Sequence, residues 1–103
     1  MPALPPLTAE DRAAALAKAA RVRKERSELK AEIKAGRVHV ADVLADKTGP
    51  LWPAYVRQVL EAVPGVGKVR AAELMDTAGI DSRRRVRGLG PVQRAKLTEL
   101  VAA

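Results

Sequence analysis

Two short runs in this 103-residue chain carry residue types that could do chemistry, and in both the chemistry is the capture of an anion. The first is Val63-Pro64-Gly65-Val66-Gly67-Lys68-Val69-Arg70-Ala71. Pro64 pushes the residue before it out of the helical region and so ends whatever helix precedes it. Gly65 and Gly67 allow backbone angles and a closeness of approach that a Cβ would block. Val66, between them, can tuck inward and pin the turn. The N–H groups around Gly67 then open a helix, where they lack intrahelical acceptors and carry positive partial charge. Lys68 and Arg70 add full charges to that anion site. Gly67 and Ala71 share one helical face, which predicts a closely packed partner helix. The anion that suits the site is a DNA phosphate; the alternative is a plain tight turn in an αα-hairpin, which uses the same Gly and Pro.

The second run is Arg83-Arg84-Arg85-Val86-Arg87-Gly88-Leu89-Gly90, the densest charge in the chain. Like charges at this density repel one another unless an anion neutralises them, so Arg83, Arg84, Arg85 and Arg87 read as phosphate ligands. The two runs are related by a repeat. Gly65-Val66-Gly67 and Gly88-Leu89-Gly90 share a register in which Val69 pairs with Val92, Ala72 with Ala95 and Leu74 with Leu97. The repeat predicts two backbone-amide clamps, with Gly88 and Gly90 in the second.

The elements that must hold these runs are helices. Residues 9–35 contain neither Gly nor Pro and predict one long helix, capped by Thr8, with Glu10 and Asp11 in its first turn and Gly36 as its stop. Its apolar stripe is Ala15, Ala19, Val22, Leu29 and Ile33, interrupted by Arg26. That stripe is thin for a packed core helix. Arg21, Arg23, Lys24 and Arg26 make a basic stretch suited to lying along DNA. A solvated face with i,i+4 ion pairs is the competing reading, and a coiled coil is disfavoured by the alanine-rich heptads.

A short helix is expected near 40–46. The hairpin's first helix is expected over 53–63 with Pro53 at its first position, and its second over 68–78 with Gly79 as C-cap. A turn near 82–86 precedes a last helix over 91–101. Trp52 and Tyr55 read as core or core-edge packing rather than base-stacking platforms, because no basic cluster contains an aromatic residue. The reading is therefore all-α: an N-terminal segment 1–7 with three of the seven prolines, expected to be flexible, a long basic arm over 8–36, and a helical DNA-binding domain over 37–103 with hairpins at 64–68 and 88–91.

Bulk composition narrows the function classes. A net charge of +7 and a pI near 10.4 are those of a polyanion binder. The apolar runs fall short of a membrane span, and residues 1–7 lack the pattern of a secretory signal. The absence of cysteine excludes disulfides and thiolate metal sites and suits a reducing cytoplasm. His39 is the one histidine and has no partner ligands in sequence, so no metal and no cofactor is expected. With Phe absent, the core must be built from Ala, Val and Leu.

The hairpin, the arginine run, the second glycine turn and the long basic helix, in this order, resemble the actinobacterial integration host factor family. The resemblance is strongest in 4–34 and in 63–97. In the middle, Leu51-Trp52-Pro53-Ala54-Tyr55 stands where the family carries a Lys-Met-Lys-Val type of entry. The resemblance implies a helix–hairpin–helix or helix-two-turns-helix fold and a small nucleoid-associated protein of the cytoplasm. Such proteins bind double-stranded DNA with little sequence preference, bend or compact it, and support recombination and gene regulation, with a recombinase or integrase as a further partner. By the same resemblance Gly65, Val66, Gly67 and Lys68 are hairpin contacts, and Arg85 and Arg87 hold neighbouring phosphates.

Three classes compete. An architectural DNA binder fits best, because amides and arginines read phosphates and nothing resembles a base-reading helix. An RNA- or ribosome-associated protein uses the same clamps. A DNA glycosylase or lyase would need an N-terminal proline amine as nucleophile. Pro2 could supply one, but Ala3 follows where a glutamate is required, and little chain remains for a base pocket. The expectation is a non-enzyme without a small-molecule substrate.

Overall fold

The computed structural model describes residues 8–102, so the expectation for segment 1–7 lies outside the described residues. Five α-helices follow one another: α1 (Ala9–Lys34), α2 (Val40–Ala45), α3 (Val56–Glu61), α4 (Lys68–Thr77) and α5 (Pro91–Ala102). A 3₁₀ turn, Val86–Gly88, lies between α4 and α5. Among the described residues there is no named strand, only an isolated antiparallel bridge between Tyr55 and Arg85. The all-α reading holds.

Local signals set the ends of α1. Thr8 Oγ1 accepts from the Asp11 N–H at 3.0 Å, and Asp11 Oδ2 accepts from the Thr8 N–H at 3.1 Å, a reciprocal capping box. At the other end Gly36 has φ +76. The Arg37 N–H reaches back to Glu32 O, and the Gly36 N–H to Ile33 O, both at 3.0 Å, which is a Schellman stop. Gly79 ends α4 the same way, with φ +69 and the Ile80 N–H on Met75 O at 2.8 Å. The Arg37 side chain also grips Glu32 at 2.6 and 3.0 Å. These hydrogen bonds hold the Glu32 carboxyl below its usual range.

The core contains aliphatic side chains and one methionine. Leu44, Leu51, Val56, Val59, Leu60, Ala71, Val86 and Leu97 have no exposed surface. Trp52 sits at the core's edge, and Tyr55 lies further out. α3 packs on α4, while α5 packs on both α2 and α4. α1 joins this core only through its C-terminal half, where Ile33 is buried and Leu29 packs alongside. Leu16, near the other end, is 70% exposed. A 26-residue helix is about 39 Å long at 1.5 Å per residue, and it gives the molecule its elongated outline of 52 × 34 × 22 Å.

The first hairpin helix is shorter than the expected 53–63. It starts at Val56 with Tyr55 as N-cap, and Pro53 falls in a turn rather than at a helix start. The cause is long-range. Segment 52–56 pairs its backbone with 84–87: the Val56 N–H donates to Arg84 O, the Val86 N–H to Ala54 O and the Arg87 N–H to Trp52 O, each at 2.9 Å. Residues committed to those bonds cannot also form a helical turn. The same pairing places the short helical turn at 86–88 rather than at the expected 82–86.

Candidate nucleic-acid interface

The first glycine run forms a tight turn leading into α4. The Val66 N–H donates to Val63 O at 3.0 Å, with Pro64 and Gly65 between them. Gly65 has φ +79. Proline second and a positive-φ glycine third is the signature of a type II turn, which a residue with a Cβ fits poorly. Val66 packs inward against the core, as expected. Gly67 is the N-cap of α4, and the Ala71 N–H donates to its carbonyl at 2.9 Å. The N–H groups of Gly67, Lys68, Val69 and Arg70 have no acceptor among the described residues. They form an open donor row at the positive end of a ten-residue helix.

The expected packing reason for Gly67 does not hold. Its φ of −90 is open to any residue, and a Cβ there would meet nothing within 4 Å. Ala71, by contrast, is fully buried in the core. What Gly67 keeps clear is the solvent side of the donor row. Lys68 flanks that row without an ion pair among the described residues, and Arg70 shares Glu73 at 3.3 Å with both side chains exposed.

The second glycine run keeps the register but not the conformation. The Arg94 N–H donates to Gly90 O at 2.9 Å, the counterpart of Ala71 on Gly67. Neither Gly88 nor Gly90 has positive φ. The Gly88 N–H is held by Arg85 O at 2.9 Å, the Leu89 N–H by Val86 O at 3.2 Å and the Gly90 N–H by Gln93 Oε1 at 3.2 Å. Pro91 has no N–H to give. The expectation of two equivalent amide clamps is therefore corrected: Arg85 O and Gln93 take the Gly88 and Gly90 amides and Pro91 offers none, so of the four positions matching Gly67–Arg70 only Val92 and Gln93 keep an open N–H among the described residues. The signal was in the sequence, since Gln93 stands at the third helical position, where a side chain reaches back to the cap.

The arginine run divides. Arg83 and Arg87 are exposed, with no side-chain partner among the described residues, and Arg84 reaches only Gly88 O at 3.4 Å. Arg85 is engaged: it donates to Pro53 O at 2.7 Å and to the Tyr55 hydroxyl at 3.3 Å, with its guanidinium 4.5 Å from the Tyr55 ring centre. It fastens the 52–56 segment to the arginine loop.

The four basic residues of the arm do not share a face. At about 100° per residue, Arg21 and Arg23 lie about 160° apart around the helix. Lys24 faces Glu28 at 3.9 Å. Arg26 points into the molecule and donates from Nε to Pro50 O at 3.0 Å. It completes the inward stripe of Val22, Leu29 and Ile33 instead of interrupting it, and it acts as a strut between arm and domain.

Sequence reasoning missed Arg94. From α5 it donates to the carbonyls of Leu44, Val86 and Leu89, while its guanidinium stacks over Trp52. No local pattern marks it, because its partners lie up to 50 residues away.

Known proteins place this architecture. Residues 33–100 match the family model of the S13-like H2TH domain. The integration host factor of Streptomyces coelicolor is 47% identical over 97 residues, covering 92% of this chain and 91% of the relative. That of Mycobacterium tuberculosis is 48% identical over 99 residues, covering 94% of each. Among solved structures, sIHF bound to an 8-bp palindromic DNA superposes with a TM-score of 0.77 at 40% identity, over 82% of this chain and 97% of that one. The open hairpin, the H2TH core and the long first helix thus belong together, and the chain is a member of the actinobacterial integration host factor family.

Proposed function

We propose that this protein is a non-enzymatic architectural binder of double-stranded DNA, gripping the phosphate backbone and bending or compacting the duplex within the nucleoid. The observation that carries the reading is the row of four unpartnered N–H groups from Gly67 to Arg70, open to solvent on the Gly67 side and flanked by Lys68. A similar protein solved with DNA supports it. In this reading Gly65 and Val66 shape the hairpin, and Gly67, Lys68 and Arg70 hold one phosphate. Arg83, Arg84 and Arg87 hold neighbouring ones. Arg85 positions their loop, and Gly88 and Gly90 set the second turn. Arg21, Arg23 and Lys24 are candidate backbone contacts on the arm, while Arg26 fixes its angle.

Phosphate contacts position a protein without conveying base identity, so binding tolerates sequence change and depends on counterion release. A role beside a recombinase or in gene regulation follows from this reading as a consequence of shaping DNA. The decisive experiment compares duplex DNA, duplex RNA and single strands of equal length at fixed salt. Preference for duplex DNA supports the proposal, and preference for RNA replaces it with the ribosome-type reading.

A further inference from the structure

One flank of the arm is purely basic, and it faces a groove next to the hairpin. With Arg26 on the inward face, a helical turn of about 100° per residue places Arg12, Arg23, Lys30 and Lys34 in a sector about 40° wide. All five acids of the helix (Glu10, Asp11, Glu25, Glu28 and Glu32) fall on the opposite side, in a sector of about 100° that also holds Lys18 and Arg21, so only the first flank is of one sign. The structure shows where the basic flank leads. Lys30, Ala31 and Lys34 form one wall of a groove whose other wall is Gln58 and Glu61 of α3 and its C-cap Ala62. The chain then passes directly from α3 into the Val63–Val66 turn.

The charges in this groove are unevenly matched. Glu61, its one acid, is shared with Arg57 at 3.7 Å. Lys30 and Lys34 make no ion pair among the described residues, although Lys24 and Arg37 on either side do. Two unpaired ammonium groups one helical turn apart, about 6 Å along the axis, attract a polyanion carrying regularly spaced charges.

We infer that the groove between α1 and α3, with Lys30 and Lys34 as its cations, is a second phosphate-backbone site that engages the same duplex as the Gly65–Arg70 hairpin. This deepens the proposed function and rests on it. Arg23 and Arg12 carry the same flank outward, so a duplex leaving the hairpin runs along the basic side of α1 with the acids turned away. The arm's orientation toward DNA is then set by its one acid-free basic flank.

The test is a salt titration of binding to a 20-bp duplex by three proteins: the unaltered chain, Lys30→Gln/Lys34→Gln, and Lys18→Gln/Lys96→Gln as an equal-charge control on exposed residues elsewhere. Each lost phosphate contact lowers the slope of log K against log salt by about 0.9. The groove variant is expected to lose about two units of slope and roughly tenfold or more in affinity at moderate salt, and the control much less. Hydroxyl-radical protection should also shorten on one side of the hairpin footprint in the groove variant. Equal slopes for the two variants, or an unshortened footprint, overturn the inference. Failure of the unaltered chain to bind any duplex overturns the proposed function instead. If the double variant does not fold, Lys34→Gln, at an exposed position, carries the test with an expected slope change of about one.

Discussion

The Arg94 guanidinium lies 4.9 Å from the centre of the Trp52 ring. From there its N–H groups reach the last turn of α2 at Leu44, the 3₁₀ turn at Val86, and Leu89 beside the second glycine run. One side chain thus ties the end of α2 to the 3₁₀ turn and its cap. Arginine suits the place because its planar fork serves several carbonyls while its face stacks on an indole, which a lysine cannot reproduce.

Replacing Arg94 by methionine keeps much of the packing but strands the carbonyls of Leu44 and Leu89, while Val86 O keeps the Leu89 N–H. The expected cost is about 2–3 kcal/mol, the range for hydrogen bonds to charged groups and desolvated acceptors. Trp52, the one tryptophan of the chain, reports on its own partner. Its fluorescence should change in the folded variant, and its denaturation midpoint should fall. Arg94→Lys should recover little of the loss. An unchanged midpoint in both variants would show that the stacking and the three hydrogen bonds contribute nothing.

The two glycines of the first hairpin should separate stability from binding. Gly65 sits at φ +79, so Gly65→Ala is expected to destabilise the fold by about 1–2 kcal/mol. Gly67 has an ordinary φ and open space around it. Gly67→Val should therefore fold, with a loss of about 1 kcal/mol from a poorer N-cap. It should nonetheless lose roughly tenfold in DNA affinity, because the branched side chain covers an amide nest while removing no charge. Wild-type affinity in folded Gly67→Val would show that the hairpin is only a turn.

Much of this architecture was legible because it is local. Thr8 with Asp11, Gly36 after the long helix, Pro64 with Gly65, and Gly79 after α4 each act within a few residues of the backbone they shape. What the sequence hid was long-range. Pro53 looked like a helix start because nothing nearby revealed that segment 52–56 would pair with 84–87. Arg26 looked like a break in the apolar stripe until Pro50, 24 residues on, proved to be its partner. The two glycine runs looked equivalent because their register is the same. They differ because Gln93 caps the Gly90 amide and Pro91 removes the next, whereas the matching amides of Gly67 and Lys68 both stay open.

Salt should control binding more than sequence does. With several phosphates held by the hairpin, the arginine loop and the arm, affinity should fall by about a thousandfold or more between 50 and 200 mM salt. Titration against a random-sequence duplex and an AT-rich one should give parallel lines. A flat salt dependence, or one strongly preferred site selected from a random library, would contradict a backbone grip.

The last prediction concerns the strut. If hairpin and arm engage one duplex, a straight duplex meets both only at the cost of bending, a few kcal/mol that added phosphate contacts can offset. Bending then requires an arm held at a fixed angle. Ile33 and Leu29 anchor its base, but beyond them the part-buried Arg26 bond to Pro50 O, at 3.0 Å, is what ties the helix to the domain before it projects into solvent. Arg26→Met should leave the hairpin and its affinity for a duplex too short to reach the arm nearly unchanged. It should lower the ring closure of short fragments several-fold, because a loosened arm follows the DNA instead of deflecting it. If the arm instead captures a second duplex, the same variant should close rings as poorly as the unaltered protein does, and two-duplex pull-down should persist. Undiminished ring closure by Arg26→Met, in a protein whose unaltered form closes rings well, would show that the arm's angle does not set the bend.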